Sequence, residues 1–272
     1  MRIIVCMKQI LDLEKIRIKA DTREPVLEGL PVRFGDFEKN ALEEAVRIKE
    51  KQGDPSTGSA QAVQITAVAV GSPKLKDTIK EALAIGADEA IILTDPLFGG
   101  SDTMGSAHTL AKVIEKISEY DLILLGEGST DDHSGQVPSR LAELLGLPQV
   151  TYVRELAVLE GKRIRAVRDL EDALVVVEVN LPAVVSVTGE LNQPRLPPLT
   201  AILKAARKPT KTWGPNDIGI TAAEVGASAS KIAVLSNLAP VQERKQVVFE
   251  GEVGEAVDAL FKALDREGVL AS

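Results

Sequence analysis

The 272 residues carry 40 acidic against 32 basic side chains, a net charge of −8, which argues against a general nucleic-acid binder because that surface needs a basic surplus. Apolar residues reach 44% but aromatics only 3%, so the core must be built from Val, Ile, Leu and Ala, the make-up of strands buried on both faces of a parallel sheet. The single cysteine, Cys6, excludes an internal disulfide, and no stretch approaches the ~20 apolar residues that span a bilayer, so a soluble, cytoplasmic chain without a membrane span is expected.

In chain order, residues 2–7 read as a buried strand, and Lys8 interrupts the apolar run at once, so no leader is expected there. Residues 15–19 alternate charge and isoleucine, the period of a half-exposed strand. A helix is predicted from Asp36 as N-cap through Gln52, with Ala41, Leu42, Ala45, Val46 and Ile48 on one face and Gly53 as the stop. Residues 52–61 read as a loop. Strands at 63–70, 90–93 and 122–125 then alternate with helices at 73–85, 102–118 and 136–145, the last closed by Gly146. Strand–helix alternation with short links predicts βαβ units and a doubly wound, mostly parallel α/β sheet.

After Pro148 the pattern changes. Residues 153–159 and 163–167 flank Glu160-Gly161 as a hairpin, and 175–179 and 183–187 continue as strands. Three prolines within 193–198 predict an extended loop, 199–206 a short helix, and 208–226 an arm. Residues 254–267 carry an apolar stripe of Ala256, Val257, Leu260, Phe261 and Leu264. The expected division is a nucleotide-binding domain over 1–206 and a C-terminal arm and helix over 207–272, the helix packing on its own domain or on a partner.

Ligands of open α/β sheets bind where strands end and helices begin. Three such junctions stand out. Gly99-Gly100-Ser101-Asp102-Thr103 opens a helix and reads first as a plain loop capped by Ser101 or Asp102, and alternatively as an anion cradle. The polar loop from Gly126 through Ser129, Asp131, Asp132, His133, Ser134, Gly135 and Gln136 to Val137 follows a buried strand. There Gly135 and the helix after it offer N–H groups to phosphate, while the carboxylates suit hydroxyls, ring nitrogens or amides. Val70-Gly71-Ser72-Pro73 is the third. The first two junctions are expected to share one pyrophosphate between two helix starts. No Gly-x-Gly-x-x-Gly, Walker or Gly-x-Ser-x-Gly string is present, and His108 and His133 lack zinc-type spacing, which disfavours hydrolase and metal chemistry.

Several strings, in order and spacing, carry a family resemblance: Asn40-Ala-Leu-Glu-Glu-Ala45, Glu81-Ala-Leu-Ala-Ile-Gly-Ala-Asp-Glu-Ala90, the loop with Asp131 and Gln136, Leu181-Pro-Ala-Val-Val185, and Glu190-Leu-Asn-Gln-Pro-Arg195. Over essentially its whole length the chain resembles the beta subunit of electron transfer flavoproteins. The resemblance implies a Rossmann-like adenine-nucleotide-binding domain, an alpha subunit that carries FAD and is embraced by the arm, and exchange of electrons with a dehydrogenase or quinone-linked oxidoreductase. It implies AMP in the beta site of simple carriers, or a second FAD reduced by NADH in electron-bifurcating members, so any enzyme activity belongs to the heterodimer. Site residues implied are Cys6, Asn40, Val70, Gly100, Ser101, Asp102, Thr103, Thr109, Gly126, and Asp131 through Val137. Gly100–Thr103 with Thr109, and Gln136-Val137, resemble the FAD version. Leu199 corresponds to a leucine presented to partner dehydrogenases. The chain departs from the family at Gly35-Asp36, where an Asn-Pro pair is common, and at Ala173 after Glu171-Asp172. The rival reading is a free-standing adenine-nucleotide sensor.

Overall fold

In a computed structural model of the chain, which describes residues 1–53, 62–241 and 245–270, the strands are β1 (Arg2–Leu11), β2 (Arg17–Ile18), β3 (Pro25–Val26), β4 (Val32–Phe34), β5 (Gln64–Val70), β6 (Glu89–Leu93), β7 (Leu122–Gly126), β8 (Gln149–Leu159), β9 (Arg163–Asp169), β10 (Leu174–Asn180), β11 (Ala183–Val187) and β12 (Thr210–Thr212). The helices are α1 (Asp36–Gly53), α2 (Leu75–Ile85), α3 (Thr103–Ile117), α4 (Val137–Leu145), α5 (Leu199–Ala205), α6 (Pro215–Ile218) and α7 (Val253–Arg266). The loop expected over 52–61 falls mostly outside the described residues.

The continuous apolar run Ile3–Met7 is buried on both faces, and β1 accordingly stands mid-sheet with parallel partners on either side, β5 and β7. The order is β10-β9-β8-β11-β7-β1-β5-β6-β12. Seven strands from β8 to β12 run parallel; β9 and β10 extend one edge as an antiparallel meander, and β4 pairs antiparallel with the end of β1. Helices α1, α2 and α5 cover one face, burying Leu42, Ala45, Ile79, Leu83 and Ala205. Helices α3, α4 and α6 cover the other, burying Ile114, Leu141 and Ile218. The fold is thus the doubly wound α/β type. From β1 the chain winds outward through β5 and β6 and then crosses back to β7, so the strand order reverses between β1 and β7, the place where such sheets bind ligands.

The register fixes which residues share that edge. Lys8 pairs with Val70, Val70 with Leu93, and Gly126 with Val187, so the ends of β1, β5, β6, β7 and β11 line up.

Some local expectations need correction. Asp36 is not the cap of α1 but its first residue, held by Arg33 at 2.6 Å; the position before it is Gly35. Gly53 lies inside the helix. Residues 15–19 form a 3-10 turn (Leu13–Lys15) and the two-residue β2 rather than one strand. Residues 208–226 are not all arm: Thr210–Thr212 pairs parallel with Ala90–Ile92 as the outer strand. That strand is three exposed polar residues long, so it carries no apolar signal.

Two compact units are defined, one comprising Met1–Arg17 with Val26–Ser236, the other Ile18–Pro25 with Asn237–Ser272. Within the second, the Ala239 N–H donates to the Arg23 carbonyl at 2.9 Å, and Lys245 bonds Glu267 at 2.5 Å. Its helix α7 buries none of its residues, including the stripe expected from the sequence. Among the described residues no helix is long and apolar enough to cross a membrane.

Candidate functional site

At the reversal point the end of β1 meets the loop after β7. Lys8 Nζ donates to Ser129 Oγ at 2.9 Å, Asp131 Oδ1 at 2.7 Å and Asp132 Oδ2 at 3.2 Å. Buried Ser129 in turn donates toward Asp131 and lies 2.9 Å from Asp132 Oδ1, and the Ser134 N–H donates to Asp132 at 3.1 Å. Burial alone would raise the Asp132 carboxyl, but the Ser134 N–H, Lys8 and Ser129 outweigh it and hold the group below the usual range. The long polar loop is therefore ordered from within, with one cation spread over two carboxylates.

The loop ends in His133 and Gly135, both at positive φ (47° and 64°). A side chain at Gly135 would be strained there, which explains glycine just before a helix. His133 tilts against Phe37 with ring centroids 5.8 Å apart. Phe37 also sits on the end of β7: a side chain at Gly126 would begin 2.6 Å from its Cβ, so Gly126 lets α1 approach the sheet.

The two helix starts differ. At α3, Asp102 is the N-cap and accepts from Met104 and Gly105 N–H at 3.0 and 2.9 Å, while its other oxygen accepts the Lys231 N–H at 3.1 Å. The N–H groups of Gly105 and Lys231 hold its carboxyl below the usual range. Ser101 Oγ donates to the Phe98 carbonyl and accepts the Gly226 N–H. This junction is thus capped and joined to residues 226–231 of its own chain. At α4 no side chain caps the helix. Gln136 meets Thr103 Oγ1 at 3.3 Å and Arg140 Nη2 at 2.5 Å, so the two junctions do face each other, but only α4 offers uncapped N–H groups and a nearby guanidinium.

The remaining expected residues fall in three places. Val70 reaches the shared edge beside Lys8. Cys6 and Thr109 lie in the interior: burial pushes the Cys6 thiol up to about 12, and the Thr109 hydroxyl bonds back to the Gly105 carbonyl at 2.9 Å. Asn40 is buried and turned to the rim after β11, donating to the Asn192 carbonyl at 2.6 Å. Val137, the first residue of α4, packs partly against the α3–α4 side of the core.

Three charged residues not singled out in the sequence belong to this region: Lys8, Arg140 and Glu38. Glu38, on the first turn of α1, is only 5% exposed, and its Oε2 has no hydrogen-bond partner. Its carboxylate occupies the space a side chain at Gly35 would need, and Gly35 N–H donates to the Lys8 carbonyl at 3.3 Å. The Gly35-Asp36 departure thus makes room for a buried carboxyl. A polar helix start interrupting the apolar face of α1 was the one sequence signal for it.

A family model for the electron transfer flavoprotein domain matches residues 28–218. The chain belongs to the electron transfer flavoprotein family. Over 271 residues it is 36% identical to the electron transfer flavoprotein subunit beta of Thermoanaerobacterium thermosaccharolyticum, covering 99% of this chain and 100% of that one. It is 34% identical, over the same shares of both chains, to the caffeyl-CoA reductase-Etf complex subunit CarD of Acetobacterium woodii. It is 31% identical over 226 residues to protein FixA of Azorhizobium caulinodans, 81% of this chain and 77% of that one. The Thermoanaerobacterium relative is named a beta subunit, and the family is one of flavoproteins, associated with flavin or nucleotide.

Proposed function

We propose that this chain works as the beta subunit of a heterodimer with an electron transfer flavoprotein alpha subunit, and that the crevice between β1 and β7 binds FAD in a complex that oxidises NADH and bifurcates electrons. The observation that carries the nucleotide reading is the uncapped start of α4 at the strand-order reversal, with Arg140 beside it. Helix N–H groups and a guanidinium are what a phosphate needs. Because Asp102 already occupies the first N–H groups of α3, the phosphate cradle belongs to α4, and Thr103 contributes its hydroxyl rather than a second helix start. Lys8, Ser129 and Asp131 line the same end of β1 and suit ribose hydroxyls or ring nitrogens. A flavin, when bound, supplies the electron-accepting chemistry; these residues bind it, orient it and set the charge around it.

FAD rather than AMP is favoured by the resemblance of Gln136-Val137 to the FAD version, with Thr103 facing Gln136, and a relative named for a caffeyl-CoA reductase complex favours a CoA-thioester flavoenzyme as redox partner. The test is flavin stoichiometry. Two FAD per co-expressed heterodimer, both reduced by NADH, are expected; one FAD plus AMP means a simple carrier.

Docking of that dehydrogenase falls to the loop after β11. Leu199 is 70% and Leu196 93% exposed beside Pro197 and Pro198, so neither packs into its own domain. Truncation of an exposed apolar anchor weakens docking and not folding. Leu199→Ala is expected to raise KM for an acyl-CoA dehydrogenase about tenfold, with flavin content and melting temperature unchanged. A lower melting temperature with unchanged transfer kinetics defeats the docking reading.

A further inference from the structure

The segment between β11 and α5 presents Leu196 and leads into Leu199, the first residue of α5, yet residues 192–198 contain no helix or strand to hold that entry in place. The fastening is to a single helix, α1. Arg195 Nε and Nη2 fork the Glu43 carboxylate at 2.7 and 3.0 Å, while Nη1 and Nη2 fork Glu50 at 2.6 and 2.9 Å. The Arg195 backbone N–H also donates to Glu43, at 3.3 Å. Next to it Asn192 and Asn40 exchange amide-to-carbonyl bonds at 3.0 and 2.6 Å, and Asn192 Nδ2 donates to Glu44 at 3.1 Å.

Glu43 is buried, and Arg47 Nε also donates to it, at 2.8 Å. Burial works against its charge, but the bonds from Arg195 and Arg47 prevail and keep it below the usual carboxylate range. A planar guanidinium serves two carboxylates at once, which an ammonium on a flexible stem does not. Leu196, almost fully exposed, gives the segment no apolar hold, and the prolines at 194, 197 and 198 only limit how far it can wander.

We propose that Arg195 is a positioning residue for the redox partner: by clamping Glu43 and Glu50 of α1 it sets where Leu196 and Leu199 stand. This rests on the docking role of Leu199 and goes beyond it, because Arg195 spends its own donors inside the chain and acts on the partner only through the leucines.

The test uses the alpha–beta heterodimer and the acyl-CoA dehydrogenase, with its acyl-CoA, that reduces the wild-type heterodimer fastest. Arg195→Gln is expected to raise KM for that dehydrogenase about tenfold with kcat within about twofold, since positioning acts on binding before chemistry. Glu50→Gln removes only the exposed half of the clamp without unsettling buried Glu43, and is expected to raise KM about threefold. In both, hydrogen exchange at the Leu196 and 199–203 amides should quicken while FAD content stays at the wild-type value. In the Leu199→Ala background, Arg195→Gln should raise KM no further, because both changes remove one interaction.

If Arg195→Gln and Glu50→Gln lower the melting temperature but leave KM and loop exchange unchanged, the clamp is only structural and the proposal is overturned. Full additivity with Leu199→Ala overturns it too, while the docking reading stands. An unchanged KM for Leu199→Ala alone overturns the docking reading itself, and Arg195 loses its role in docking with it.

Discussion

Gly100→Val is expected to destabilise the protein by about 3 kcal/mol, and any loss of bound nucleotide should follow from that rather than cause it. Gly100 has φ +72°, the left-handed region that costs an L residue roughly 1–2 kcal/mol and a β-branched one more. A side chain there would start 2.8 Å from the Ala227 Cβ, an overpacked contact worth about 1–3 kcal/mol. The glycine thus faces its own chain. Around it the Ala227 N–H donates to the Gly99 carbonyl at 3.0 Å, the Gly226 N–H to Ser101 Oγ at 2.8 Å, and the Lys231 N–H to Asp102 at 3.1 Å. Valine would push this whole seam apart. Urea denaturation of wild type and variant, read together with flavin content, checks it. A wild-type midpoint with the flavin gone would mean that Gly100 faces the ligand, as the sequence alone would have it.

The winding of the sheet was legible because its signals are local and redundant. The inner parallel strands β1, β6 and β7 carry unbroken apolar runs at 3–7, 90–93 and 122–125, and the first crossover helix has a periodic face, Ala41, Leu42, Ala45 and Val46, all buried. Gly146 ends α4 in the left-handed region, as a C-terminal glycine should. What escaped was set by distant partners. β12 is a strand only because Thr210–Thr212 meets β6, and the insertion of β11 between β7 and β8 has no mark in any one segment. At the site, the polar loop and the two helix starts could be read as junctions, but which start is free could not. Ser101 and Asp102 are cap residues and phosphate-loop residues alike; the cap bonds to Met104 and Gly105 are local, but the contacts that commit these side chains to their own chain come from Gly226 and Lys231, more than a hundred residues away. Lys8 read only as the end of an apolar run until the register put it opposite the carboxylates of residues 131 and 132.

Glu38→Gln is expected to flatten the pH dependence of stability between about pH 4.5 and 7. Burial pushes the Glu38 carboxyl from 4.5 up to about 7; its own backbone N–H and Lys8 pull it down, and Asp131 and Asp36 push it up. The Lys8 ammonium that pulls it down also bonds Asp131 and Asp132, and Glu38 Oε2 has no hydrogen-bond partner of its own. Between the two values the folded state holds a proton that the unfolded chain has released. Stability contributed by this group is therefore full below pH 4.5, falls as pH rises, and is lost above about 7. At roughly 1.4 kcal/mol per pH unit the wild type gives up about 3 kcal/mol across the window. Glutamine has the same shape and no charge to bury. The variant should thus match or trail the wild type at pH 4.5, gain on it steadily to about pH 7 and level off above that, and the difference between the two denaturation profiles isolates Glu38 from every other titrating carboxyl. Profiles that stay parallel across the window would mean that Glu38 is ionised in the folded state and that the Gly35 niche holds a solvated charge.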